Sequence, residues 1–341
     1  MSQNTDDANP TADSVDNTDD SGSKLGVSRR RMLATGAATW ATVLAGCSSG
    51  EDDSTPEETP TETPEETPTE TPEPTATPEP EASPEAAQHI DDAQDRLTEA
   101  IYVYTGGVTD DLLSVTAETE EFRARDVLLR LDRVQRALHA AEAEATTEKQ
   151  RSAIASLDTL QRFLTHATDA QSWLIDGHDA LTEAHTHLDE RELDDAADDI
   201  ERVETTSEEV NQPTATIEEE MDVDSASAID AIDGDEYEAK VTQLTDEADV
   251  LANLGDDAAD IHDAASMIVE ARDEIDGGRT SEAADTADQA YELLNDVEDR
   301  LDERISQLPD RAEAFEDVAD DLLDLASSRA AEAETIYDNY S

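Results

Sequence analysis

Residues 148–200 read EKQRSAIASLDTLQRFLTHATDAQSWLIDGHDALTEAHTHLDERELDDAADDI, and residues 235–287 read DEYEAKVTQLTDEADVLANLGDDAADIHDAASMIVEARDEIDGGRTSEAADTA. Shifted by 87, from 148 to 235, the first lies on the second without a gap. Leu157 falls on Leu244, Leu164 on Leu251, Glu183-Ala184 on Glu270-Ala271, Asp189 on Asp276, and Ala196-Ala197-Asp198 on Ala283-Ala284-Asp285. Ile154/Val241, Phe163/Val250, Leu174/Ile261, Leu181/Ile268 and Leu188/Ile275 keep apolar character between them. The chain contains an internal duplication.

Each copy carries a heptad seam in alternating steps of three and four. The first is Leu157, Leu160, Leu164, Ala167, Gln171, Leu174, His178, Leu181, His185 and Leu188. The second is Leu244, Glu247, Leu251, Leu254, Ala258, Ile261, Ala265, Ile268, Arg272 and Ile275. A seam this long means one helix of about 40 residues, or two shorter ones bent near Gly177 and Gly255. Thr147-x-x-Gln150 and Asp233-x-x-Glu236 have the form of capping boxes, and Leu188–Arg191 and Ile275–Gly278 would turn the chain into a return helix. The unit is far longer than a tetratricopeptide repeat of about 34 residues.

Working outward, Gly is sparse and strand-like alternation is absent. After Ala86 only Pro213 and Pro309 remain, both where periodic segments stop or start. The fold class is therefore all-α: antiparallel helical hairpins in an elongated, coiled-coil-like bundle. Helices are expected near 87–104, 109–145, 147–189, 192–218, 235–276, 280–307 and 310–338. The segment 212–233, with Pro213 and then Gly234, is the expected hinge.

The chain has 89 Asp and Glu against 22 Lys and Arg, a formal charge of −67. That balance excludes the electrostatic route to nucleic acid, which needs a Lys/Arg footprint, and adsorption to anionic lipid through a basic face. The acid is spread through periodic apolar segments, as in folded proteins of concentrated salt. At ~1 M salt the Debye length is about 3 Å, which screens the self-repulsion. Lys24, Lys149 and Lys240 are the only lysines, a composition that resembles haloarchaeal proteins. Aromatics are 3% of the chain, so the cores are thin.

Residues 1–27 are polar and acidic and read as disordered. Ser28-Arg29-Arg30-Arg31-Met32-Leu33 follows, then a short apolar run to Leu44-Ala45-Gly46-Cys47, too short to cross a hydrocarbon core of about 30 Å. Ser-Arg-Arg-x-Met-Leu resembles a twin-arginine export signal and Leu-Ala-Gly-Cys a lipobox; together they are similar to haloarchaeal twin-arginine lipoproteins. The resemblance covers 28–47 only, and Met32 stands where that family often has Phe. It implies that Arg29 and Arg30 are read transiently by the export machinery, which moves folded proteins. It also implies that Cys47 receives lipid and becomes the mature terminus. One lipid chain binds only marginally, at about 0.8 kcal/mol per buried CH₂, so anchoring implies more than one chain or a diether-type lipid.

From Glu51 to about Glu85 the chain is almost entirely Thr, Pro, Glu, Ser and Asp, which favours an extended spacer reaching at most about 110 Å. The expected organisation is thus an acidic N-region (1–27), a signal peptide (28–46), and a lipidated Cys47 with its stalk (47–85). N-terminal helices (86–146), repeat 1 (147–233), repeat 2 (234–309) and a C-terminal helix (310–341) follow.

For chemistry, His178, His185 and His187 lie close, and His139-x-x-Glu142 and His187-x-x-Glu190 set His and carboxylate one helix turn apart, as helical metal-binding proteins do. Against a metal site, Ala265 and Arg272 stand at the positions of His178 and His185 in the second copy, so no site repeats. Asp222-x-Asp224 and Asp233-x-Asp235 lack the calcium-loop pattern and read as solvated carboxylates. No nucleophile triad, phosphate loop or nucleotide fingerprint is present, and no catalytic, cofactor or metal residue is assigned. The expected function is a non-enzymatic scaffold or interaction module on the outer membrane face, held by covalent lipid. The partner would be another helical surface protein or a second copy. The alternative is an extracytoplasmic solute- or metal-binding protein using a cleft between the repeats.

Overall fold

In chain order the helices are α1 (Pro84–Tyr104), α2 (Ala124–Glu144), α3 (Glu148–Glu190), α4 (Leu193–Glu220), α5 (Val223–Ala226), α6 (Gly234–Asp276), α7 (Thr280–Ser306) and α8 (Glu316–Tyr340). The computed structural model describes residues 80–107, 111–220, 223–226, 228, 229 and 232–341, and no strand occurs among them. Short 3₁₀ turns, Leu112–Ser114 and Asp310–Phe315, precede α2 and α8. The fold class expected from the sequence is the one observed.

The ends of the long helices follow from their caps. Thr147 and Gln150 form a complete capping box, whereas at Asp233 only half of one forms. The Asp233 carboxylate accepts the Glu236 amide at 2.8 Å, so this residue caps a helix and is not merely solvated. Glu236 instead accepts the Leu112 amide at 2.7 Å and ties the 112–117 loop to α6. The two exits are alike: Arg191 and Gly278, equivalent positions, both take positive φ, at 64° and 76°. The next amide returns to the helix in each case, Glu192 to His187 and Arg279 to Glu274, both at 2.8 Å.

Both long helices are continuous through their glycines, each 43 residues and about 65 Å long. Of the seventeen buried positions on α3, thirteen have a buried counterpart 87 residues on, so the copies present the same stripe to their surroundings. The agreement runs past residue 200 into the return helices, where Val203/Ala290, Ser207/Leu294 and Val210/Val297 are all buried.

Contacts fix the directions. Phe163 packs on Tyr237 at 4.2 Å between ring centroids, Gln171 meets Lys240, and Gly177 faces Leu251, so α3 and α6 run parallel. His178 beside Phe315 and Leu188 beside Arg329 run α8 the same way, and Ser83 beside Gln150 starts α1 at the same end as α3. Helices α2, α4 and α7 return between them. Touching residues on α3 and α6 differ by roughly 74 whereas equivalent ones differ by 87, so the second copy is slid along the first by about 20 Å at 1.5 Å per residue.

Gly177 and Gly255 allow close approach instead of bending the helices. A Cβ on Gly177 would stand 2.5 Å from Leu251 Cδ2 and 2.8 Å from Thr206 Oγ1; one on Gly255 would stand 2.7 Å from Val203 Cγ1. Three other expectations are corrected. The helix expected over 109–145 begins only at Ala124, because Asp111 caps a 3₁₀ turn and the β-branched Val115 that follows is extended. Leu112, Val115 and Ala117 bury this loop against the bundle. Helix α1 starts inside the segment assigned to the stalk, with Ser83 as N-cap and Pro84 in the first turn. Pro213 lies inside α4, fully packed; the hydroxyl of Thr214 bonds the Val210 carbonyl at 2.8 Å within the turn that lacks the proline N–H.

Gly177→Ala is expected to destabilise the fold. Overpacking a site closed by the inaccessible Leu251 costs about 1–3 kcal/mol, more than the ~1 kcal/mol helix-propensity gain of alanine. Adding Leu251→Ala should reduce the cost of the Gly177→Ala step without abolishing it, because the Thr206 hydroxyl still stands 2.8 Å from the new Cβ, measured by denaturant midpoints of the four chains.

Candidate functional site

The polar interior is concentrated where α3, α6 and the 112–117 loop meet. Lys240 and Glu247 lie on the α6 seam, in step with Leu244 and Leu251, and both are fully inaccessible. Lys240 Nζ donates to the Val115 carbonyl at 2.6 Å, Gln171 Oε1 at 2.8 Å and Gln243 Oε1 at 3.0 Å, and sits 5.6 Å from the Tyr104 ring centroid. Gln243 Nε2 in turn donates to Glu247 at 3.1 Å. Burial lowers the Lys240 ammonium to about 8, opposed by the Glu247 charge; burial raises Glu247 to about 7, opposed by Lys240. Tyr104 Oη, Gln171 Nε2 and Glu247 Oε2 are buried without a hydrogen-bond partner, so the network is not fully satisfied.

A lysine of lowered pKa is a possible nucleophile in principle, but all three ammonium hydrogens of Lys240 are engaged and the group has no access to solvent. A cavity of about 550 Å³ lies on the other side of Tyr104 and Val115, walled by Tyr102, Thr105, Phe122 and Arg123. The network therefore joins three segments and does not open into the cavity.

The histidines are dispersed into structural contacts. His178 meets Phe315 edge-on at 5.3 Å, His185 is half-buried, and His139 and Glu142 are exposed on α2. His187 pairs across the α3–α4 hairpin with Asp199, Nδ1 to Oδ2 at 2.8 Å, and not with Glu190. Arg202 holds the other Asp199 oxygen at 2.7 Å. Among the described residues no group of three or more His, Cys, Asp or Glu converges to hold a metal. Between the copies, the interface is closed at Gly177 and Gly255; beside Gly255 is a groove of about 290 Å³ edged by Glu204, Glu208 and Asp256.

Two further charged hubs were not anticipated. Arg329, 5% exposed, donates to the Leu188 and Asp189 carbonyls at 2.9 Å each and so caps α3 from α8. One turn on, Glu332 accepts a two-bond fork from Arg191 at 2.9 and 2.6 Å and also pairs with Arg272. Burial would raise the Glu332 carboxyl, but these guanidinium groups hold it below the usual range. Asp257, inaccessible on α6, is gripped by Arg300 of α7 at 3.0 Å. The signals were Lys240 at a heptad step, and a few arginines among many carboxylates; the spacing alone names no partner. Arg29, Arg30 and Cys47 lie outside the described residues. Among the described residues no helix is long and apolar enough to cross a membrane.

No family model matches the chain, and no curated protein does. A solved structure, the N-terminal part of the bacterial S-layer protein SbsC, is similar over 73% of this chain and 55% of that one, with 18% identity and a TM-score of 0.32. This chain thus spans little more than half the length of that fragment.

Lys240→Met should cost about 3–5 kcal/mol, because it strands Glu247 and three acceptors, whereas Lys240→Met with Glu247→Leu should be milder. Urea unfolding of the three proteins checks this order. His187 gives a pH test. Its bond to Asp199, and the Asp199, Asp195 and Glu192 charges, raise its pKa. Its stabilising contribution is therefore complete below the unfolded value of about 6.5 and is lost as pH rises through the folded value above it. The melting-temperature gap between wild type and His187→Asn should shrink from about pH 6 to about pH 9.

Proposed function

We propose that this chain is a surface-tethered lipoprotein whose acidic helical domain acts, without catalysis, as a scaffold or protein-interaction module in concentrated salt. The observation that carries this reading is where the ionisable groups go. Lys240 ties α6 to α3 and the 112–117 loop, Arg329 and Glu332 tie α8 to the ends of α3 and α6, and Asp257 ties α6 to Arg300 of α7. Most of the remaining charge lies on long outward helix faces, which offer surfaces for contact with other macromolecules. Dense carboxylate on those faces stays hydrated in brine, while the apolar seams are zipped together inside.

The leader supports the address. Arg29 and Arg30 would present the folded chain to the export machinery, and Cys47 would carry the lipid that holds it at the outer face of the cell membrane. The helical bundle, with its closed polar interior, is suited to export as a folded unit. Cells making the full chain should keep it in the membrane fraction and lose it to protease added outside. Cys47→Ser should appear in the medium. Equal retention of the serine variant, or protection from external protease, overturns the reading.

A further inference from the structure

Helix α2 breaks the charge pattern of the molecule. Residues 123–136 hold Arg123, Arg125, Arg130, Arg133 and Arg136 against Asp126 and Asp132, in a chain of formal charge −67. Arg130 is paired with Glu99 of α1 and Arg136 with Asp132. Arg123, Arg125 and Arg133 are exposed, and no carboxylate of the described residues lies within salt-bridge distance of them. Bare guanidinium groups amid such an excess of carboxylates are the exception here, since Arg162, Arg191, Arg202, Arg272 and Arg300 all reach one.

The same face is apolar at its centre. Leu129 stands at four residues from both Arg125 and Arg133, so the three form one line along the helix. Leu129 is 49% exposed, and Tyr102, near the end of the adjacent α1, is 49% exposed as well. Arginine around an exposed leucine and tyrosine is the composition of a contact surface, because guanidinium is weakly hydrated and stacks on aromatic rings.

The chain carries a surface of the opposite character on α8. Tyr337 and Tyr340 are each 38% exposed, and the exposed Glu334 and Asp338, one turn before and directly after Tyr337, form no ion pair among the described residues. We infer that the Arg125–Leu129–Arg133 face of α2 docks on the Glu334–Tyr337–Asp338 face of α8 in a second copy of this chain. Two α2 faces would set arginine against arginine, so α2 of one copy meets α8 of another. The contact joins different surfaces, so copies add head to tail unless two of them make it reciprocally and close as a dimer. Guanidinium on tyrosine and on carboxylate, around a buried leucine, survives salt better than long-range attraction does. This deepens the scaffold reading by naming its partner.

The test uses the full chain purified in detergent and molar KCl, with protein mass followed by sedimentation and light scattering over a range of concentrations. The wild type should gain mass as concentration rises. Arg125→Glu with Arg133→Glu should weaken assembly on the order of tenfold or more, and Glu334→Arg with Asp338→Arg should do the same. Both pairs are exposed, so helicity and melting temperature should hold. Mixing the two charge-reversed proteins should restore assembly, which a nonspecific loss would not. A wild type that stays monomeric throughout, reversals that leave assembly unchanged, or a mixture that stays monomeric would overturn the inference. The readout is independent of Cys47: a chain that assembles in solution yet is not held by membranes sinks only the tethering.

Discussion

The close approach of α3, α4 and α6 is the constraint on which the structure rests. A core with 3% aromatic residues cannot fill wide gaps between helices, so the helices must come near enough for Ala, Leu and Val to touch. Gly177 and Gly255 remove the side chains that would hold them apart, and Leu251 and Val203 occupy the space released. Once those crossings are set, the parallel course of α3 and α6 and the slide between copies follow. So does the depth at which Gln171 meets Lys240.

That depth explains the polar interior. A helix seam made mostly of small aliphatics specifies register weakly, whereas one lysine that needs three particular oxygens specifies it well. Lys240 belongs to the second copy, Gln171 to the first and Val115 to the loop after α1. Neither Lys240 nor Gln171 recurs at the equivalent place in the other copy, where Ala153 and Ala258 stand. The network thus breaks the symmetry that duplication would leave. The Glu332 hub does the same at the far end, where Arg191 in one copy and Arg272 in the other converge on α8.

Much of this fold was legible because it is periodic. The seams, the capping box at Thr147, the Arg191 and Gly278 turns and the 87-residue register all depend on local spacing, which the chain states directly. What was hidden depends on partners distant in sequence. Nothing local in 109–123 says that Leu112 and Val115 will find a bundle to bury in, so the segment looked helical. Pro213 looked like a boundary because the packing that tolerates it comes from other helices. His187 looked like half of a His-x-x-Glu pair, but Asp199 across the hairpin lies closer in space than Glu190 in sequence. The outward faces were least legible, since a heptad pattern records only what is turned inward.

The copies run parallel and are offset along their common direction by about 20 Å. A pair set level with each other would close on itself and have no room for a third member. A sliding pair leaves each new unit offering the next the same ledge it received. Lineages could therefore lengthen or shorten this protein by whole hairpins without redesigning the joints already made, provided a terminal helix such as α8 seals the last one.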